Sequence, residues 1–104
     1  MITVTFCSRN ETITGFTVTG HSGYAAAGGD IICASVSSCA LMVANTVTDV
    51  MRLSATAEAD DGFLRLMIHD APEAAQDLLR GFRLHMTELA KDYPQYVLCK
   101  TIQQ

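Results

Sequence analysis

The residues best suited to do chemistry lie between Gly20 and Cys39, in the run GHSGYAAAGGDIICASVSSC. His21 precedes Cys33, with Gly23, Gly28 and Gly29 between them and Gly20 just ahead. Cysteine attacks a carbonyl as its thiolate, and only a few per cent of an ordinary thiol is ionised at pH 7. A neighbouring imidazole can take the proton. A Cys–His pair with backbone N–H groups near the sulfur is therefore the minimum for acyl transfer: nucleophile, general base and oxyanion donors. Fully extended, the connection would span about 40 Å, so the pairing is permitted and not forced. The four glycines make folding back easy, and they suit a flexible loop that admits a peptide.

The elements that must position these groups follow from periodicity. Ile2, Val4 and Phe6 alternate with Thr3, Thr5 and Cys7, which predicts a strand. RNE (Arg9 to Glu11) is a turn, and Thr12 to Thr19 is a second strand. Its apolar phase shifts at Gly15, which predicts a bulge there. Ile32, Val36, Cys39, Val43, Val47 and Val50 recur at steps of three and four, predicting a helix over Ile31 to Leu53 with Asp30 as N-cap. That places Cys33 in the first turn, where unpaired N–H groups and the helix dipole favour a thiolate. The dipole is worth at most about 2 kcal/mol, or about one and a half pKa units, so an imidazole must supply the rest. At about 100° per residue, Cys33 lies on the edge of the valine stripe, with Ser37 one turn later toward solvent.

Ala55, Ala57 and Ala59, then DDG, then Leu64, Leu66 and Ile68 make a second hairpin with an Asp-Gly turn. Asp60 and Asp61 are turn residues in this reading. Asp70, Pro72 and Glu73 form a capping box ahead of a second helix, with a stripe of Ala75, Leu78, Leu79, Phe82, Met86 and Leu89 that Pro94 closes. QYVLCKTI is a last strand. The expected fold is α+β, a single domain over residues 1–104 in the order β-β-α-β-β-α-β: a mainly antiparallel sheet with two helices packed on it.

Composition narrows the function. At 104 residues, 49% hydrophobic and 17% charged, the chain suits one globular core. A net charge of −4 without a basic cluster argues against direct nucleic-acid binding. MITVTFCSR alternates like a strand and not like a leader, and Ile31 to Leu53 is interrupted by eight polar residues, so no membrane association is expected. Cytoplasmic location is the expectation, with Cys7, Cys39 and Cys99 as small buried hydrophobes. No cysteine spacing suits zinc, and neither a metal nor another cofactor is expected. A phosphate loop is disfavoured because no Lys follows the glycines and Asp30 would repel the anion. His69 and His85 lack motif partners. Cys33 and Cys39 point to different sides of the helix, which disfavours a redox pair.

GHSGYA followed by GGDIICASVS resembles the bacterial ribosomal-processing cysteine protease family Prp over the whole chain length. Ser22, Ile32 and Ser35 depart mildly from the usual Ala, Val and Ala. The resemblance implies Cys33 as nucleophile and His21 as general base, with Asp30 and Ser37 at motif positions in supporting roles. It also implies a homodimer with a mobile loop between His21 and Cys33. The implied substrate is the N-terminal extension of a large-subunit ribosomal protein, the twenty-seventh of the standard series, cut after an aromatic residue. The residues alone leave a rival open: a non-catalytic ribosome-assembly or peptide-binding module in which Cys33 is incidental.

Overall fold

Alternating β-branched and aromatic residues produce five strands, and two apolar helical stripes cover one face of the sheet they form. The computed structural model describes residues 1–20 and 27–104, with the backbone alone for 27–30. Strands β1 (Ile2–Arg9) and β2 (Thr12–Thr19) form a hairpin, as do β3 (Ala55–Asp60) and β4 (Phe63–Ile68). Helix α1 spans Ala27–Asn45, α2 spans Gln76–Asp92, and β5 is Val97–Gln103. The sheet order is β3-β4-β2-β1-β5. Neighbours are antiparallel except β1 and β5, which run parallel with Ile2 opposite Val97. Each helix thus connects two parallel strands with other strands inserted between them, an arrangement of split crossovers.

The first hairpin turns on Asn10 and Glu11, both at positive φ (51° and 68°), the backbone twist that suits a two-residue turn. The bulge falls beside the expected position: the register slips between Cys7 and Ser8, leaving Thr14 as the extra residue next to Gly15. Gly15 itself is required by close approach, since a Cβ there would lie 2.2 Å from the Leu66 carbonyl oxygen. Phe6, Phe16 and Phe82 meet at ring-centroid distances of 4.8–6.1 Å and join the two helix-facing strands to α2.

Helix α1 departs from the sequence reading at both ends. It already runs from Ala27, so Asp30 stands inside it and is not its N-cap, and Gly28 and Gly29 are helical. Once a helix is nucleated, each added residue gains a hydrogen bond, and packing of Ile32 and Val36 on the sheet holds the stretch. At its other end α1 widens into a π-helical turn, Thr46–Val50, closed by the Met51 N–H donating to the Thr46 carbonyl at 2.7 Å. The wider turn rotates Val50 off the stripe, and it is 76% exposed. The buried line runs through Ile32, Val36, Ala40, Val43, Ala44 and Val47, with Cys39 only half-buried. By length and composition Ile31–Val50, with mean hydropathy 1.7, would suffice to cross a bilayer, contrary to the reading from its polar interruptions. Here its apolar stripe is occupied by the sheet.

Helix α2 is entered differently from the predicted capping box. Ala71 takes φ 54° and no side chain caps the start; Pro72–Ala75 forms a 3₁₀ turn that leads into the helix. Gln76 supplies the missing polar contacts. Its Oε1 accepts the Ile13 N–H at 2.8 Å, and its Nε2 donates to the carbonyls of Ile13 (2.8 Å) and Pro72 (2.9 Å). One amide thereby satisfies the β2 backbone where the pairing with β4 has ended.

Candidate active site

Cys33, Ser37 and Leu41 are spaced by four residues and form a row along α1. Opposite them stands the tip of the β3–β4 hairpin, from Ala59 through Asp60, Asp61, Gly62 and Phe63 to Leu64. Val18, Gly20 and Ala40 complete the lining. These residues enclose a groove of about 300 Å³. Most of the described lining residues are apolar, with Cys33, Ser37, Asp60 and Asp61 as the polar members.

Gly20 is a fixed point and not part of a flexible loop. Its N–H donates to the Gly62 carbonyl at 3.0 Å, which ties the end of β2 to the hairpin tip. It takes φ +91°, and a Cβ there would lie 2.3 Å from the Met1 carbonyl oxygen, so only glycine fits. Gly28 and Gly29 belong to α1 and so do not serve as loop residues either. His21 and Gly23 lie outside the described residues, as do the remaining residues of 21–26. Gly20, to which His21 is bonded, lines the groove that Cys33 lines.

Cys33 is half-buried at the edge of the core, and Ser37 is exposed, as the stripe geometry predicts. The earlier helix start changes the electrostatics. Cys33 is the seventh residue of α1, beyond the first turn that carries the unpaired N–H groups. The dipole fades within that turn, so the helix start assists the sulfur less than a first-turn position would. First-turn N–H groups are likewise not beside the Cys33 backbone, and an oxyanion hole built on them loses its basis. The side chain of a helical residue leans toward the N-terminus, which brings the Cys33 side chain over the turn that holds Gly29.

The other thiols have different surroundings. Cys7 is buried and lines a separate depression on the far face of the sheet, beside Thr5, Thr17 and Arg65. Burial pushes the Cys39 thiol pKa up. Burial also raises that of Cys99, partly offset by the Thr87 hydroxyl at 3.8 Å and the Arg83 charge. Neither His69 nor His85 lines the groove: His69 contacts Thr56 at the base of the second hairpin, and His85 is exposed on α2. Among the described residues, no group of three His, Cys, Asp or Glu side chains could hold a metal ion.

The structure thus brings together Cys33, Ser37 and Gly20 from the expected set, and adds Ala40, Leu41, Ala59, Asp60 and Asp61 among the groove residues. The hairpin residues read as a turn in the sequence. Nothing local signals that this turn reaches α1, because the β2–β4 pairing carries it there.

No curated protein matches the chain. Solved structures do. SMU.848 from Streptococcus mutans superposes with a TM-score of 0.86 at 29% identity, covering 100% of this chain and 96% of that one. The essential ribosomal processing protease Prp from S. aureus matches in two complexes, each covering 98% of this chain and 100% of that one. The complex with a covalently linked product peptide gives a TM-score of 0.84 at 22% identity. The complex with a substrate peptide gives 0.86 at 21%. The family model described as cysteine protease Prp matches residues 1–98. A half-buried cysteine on a groove at the edge of a five-stranded sheet, in a chain matched along nearly its whole length, has one assignment: this protein belongs to the Prp family of cysteine proteases.

Proposed function

We propose that this protease removes the N-terminal extension of a large-subunit ribosomal protein, with Cys33 as nucleophile and His21 as general base. The observation that carries the reading is that Cys33, alone of the four thiols, opens onto the groove between α1 and the β3–β4 tip. Such a groove suits an extended peptide, and the S. aureus protease, a structural relative, has been seen with substrate and covalently linked product peptides.

In this mechanism His21 takes the Cys33 proton and the thiolate adds to the scissile carbonyl, forming a C–S bond. The tetrahedral intermediate collapses as His21 returns the proton to the leaving amine and the C–N bond breaks. Water, deprotonated by His21, then cleaves the thioester and restores the thiol. Since Cys33 lies beyond the first helical turn, the imidazole carries most of the activation. Ser37 supports the sulfur or a substrate carbonyl from one turn further along, and Asp30 shapes the start of α1. The protein acts as a homodimer in the cytoplasm, where its four unpaired cysteines stay reduced.

The test is cleavage of a peptide that spans the extension and the mature start. Cys33→Ala abolishes cleavage, and His21→Ala lowers kcat/KM by about 10²–10⁴. If both variants cleave at the wild-type rate, the assignment fails.

A further inference from the structure

We propose that the open edge of β3 is a docking strand for the peptide substrate. An extended segment, beside the part that enters the groove, pairs with Ala57 and Ala59 as a sixth strand of the sheet. The inference rests on the peptidase reading and adds to it how chain away from the scissile bond is held. Recognition of this kind runs from backbone to backbone, so most of its affinity comes from an extended conformation and not from particular side chains.

The register fixes which way the β3 backbone points. Strand β3 is the terminal strand of the sheet, with β4 on its one paired side. The His69 N–H donates to the Ser54 carbonyl at 2.7 Å, one pair beyond Ala55 and Ile68. In an antiparallel ladder every second pair exchanges bonds, so Thr56, Glu58 and Asp60 bond to β4. Ala57 and Ala59 turn their N–H and C=O groups the other way, to the open edge, where these groups have no partner among the described residues. Their side chains lie opposite Leu66 and Leu64, on the helix-facing side of the sheet, and both residues are exposed. Ala59 also lines the groove that Cys33 lines. One residue thus belongs both to an unfilled strand edge and to the candidate active site.

This edge is open to close approach. Sheet edges are ordinarily guarded by charged side chains, above all Lys, by Pro or by a bulge. The opposite edge strand, β5, carries Lys100. Strand β3 reads ATAEAD, keeps an unbroken register with β4 and contains neither Lys nor Pro. Its charges, Glu58 and Asp60, alternate with the alanines and so project from the opposite face. On the groove side, a docked strand meets the small side chains of Ala57 and Ala59. Each alanine offers one backbone donor and one acceptor. A typical bond of this type is worth about two- to tenfold in affinity.

Two measurements on a long cleavable peptide test this. In the first, the wild type cleaves a series in which a single backbone N-methyl group is walked outward from the scissile bond on either side. On the side that docks, alternate positions lower kcat/KM by about threefold or more and those between by less than about twofold, because paired backbone groups recur every second residue. In the second, Ala57→Pro removes an outward N–H that is no part of the β4 ladder, a place where an edge strand tolerates proline. It lowers kcat/KM by about two- to tenfold, through KM with kcat little changed, since the lost bond is common to the ground and transition states. Sedimentation velocity on the same variant detects a competing occupant: a dimer that Ala57→Pro splits means that a second copy fills the edge, and overturns the inference. So does a scan without alternation, or a folded Ala57→Pro with wild-type KM. Where Cys33→Ala still abolishes cleavage, the peptidase reading survives these results. If Ala57→Pro does not fold, the scan on the wild type decides alone. No cleavage of any peptide by the wild type overturns the peptidase reading and this inference with it.

Discussion

Cys33 competes with three other thiols for any electrophile, and their surroundings differ enough to rank them. Burial raises the pKa of Cys39 and Cys99, so less of either is thiolate at a given pH. With iodoacetamide at neutral pH, Cys33 labels first. Cys39 and Cys99 trail, and accelerate as the pH rises above the ordinary thiol range near 8.5. Replacing His21 by Ala slows Cys33 and leaves the other two unchanged. Residue-resolved mass spectrometry reads this directly, and equal labelling of all four contradicts it. The sequence suggests a His–Cys pairing because thiolate chemistry demands a base and His21 is the histidine nearest in sequence, but His21 lies outside the described residues. The place of Cys33 at the edge of the stripe followed from 100° per residue. Its place along the helix did not, since Asp30 looks like a cap and lies within the helix. Asp60 and Asp61 were legible only as a turn.

At the scale of elements, both hairpins could be read from alternation and turn residues, and both helical stripes from their period. What escaped were the joints. The glycines of α1 look like a loop but continue the helix, and the π-helical turn changes the period in a way no 3.6-residue template contains. Gln76 gave no signal at all, being one more polar residue at a helix start. It nevertheless joins α2 to β2 by two hydrogen bonds to Ile13 and binds Pro72 by a third, all through one amide. Gln76→Ala leaves the Ile13 N–H and carbonyl without these partners and costs about 1–3 kcal/mol. Urea unfolding checks this; a loss below about 0.5 kcal/mol would show that water replaces the amide.

For the whole molecule, the three phenylalanines are where sheet and α2 become one core. Phe82 touches both Phe6 and Phe16, at 5.4 and 4.8 Å. Phe82→Ala removes both ring contacts and leaves a cavity, at a cost of about 3–5 kcal/mol. Against a total of about 5–15 kcal/mol that is a large share, visible as a fall in Tm. An unchanged Tm would mean that the core closes around the gap. The fold class was legible in the sequence, but the parallel pairing of β5 with β1 was not. Alternation shows which face a residue takes and is silent on which strand lies alongside. That pairing has a consequence for biosynthesis. Strand β1 sits inside the sheet, yet one of its two edges waits for Val97–Gln103. At about 5–20 residues per second, the ribosome needs about 5–20 s to deliver them after β1 is made. Throughout that interval a stretch of alternating threonines and apolar residues presents bare backbone donors and acceptors to any strand that passes. The hazard to a newborn chain therefore depends on translation speed and chaperone occupancy, and the stability of the finished protein does nothing to reduce it.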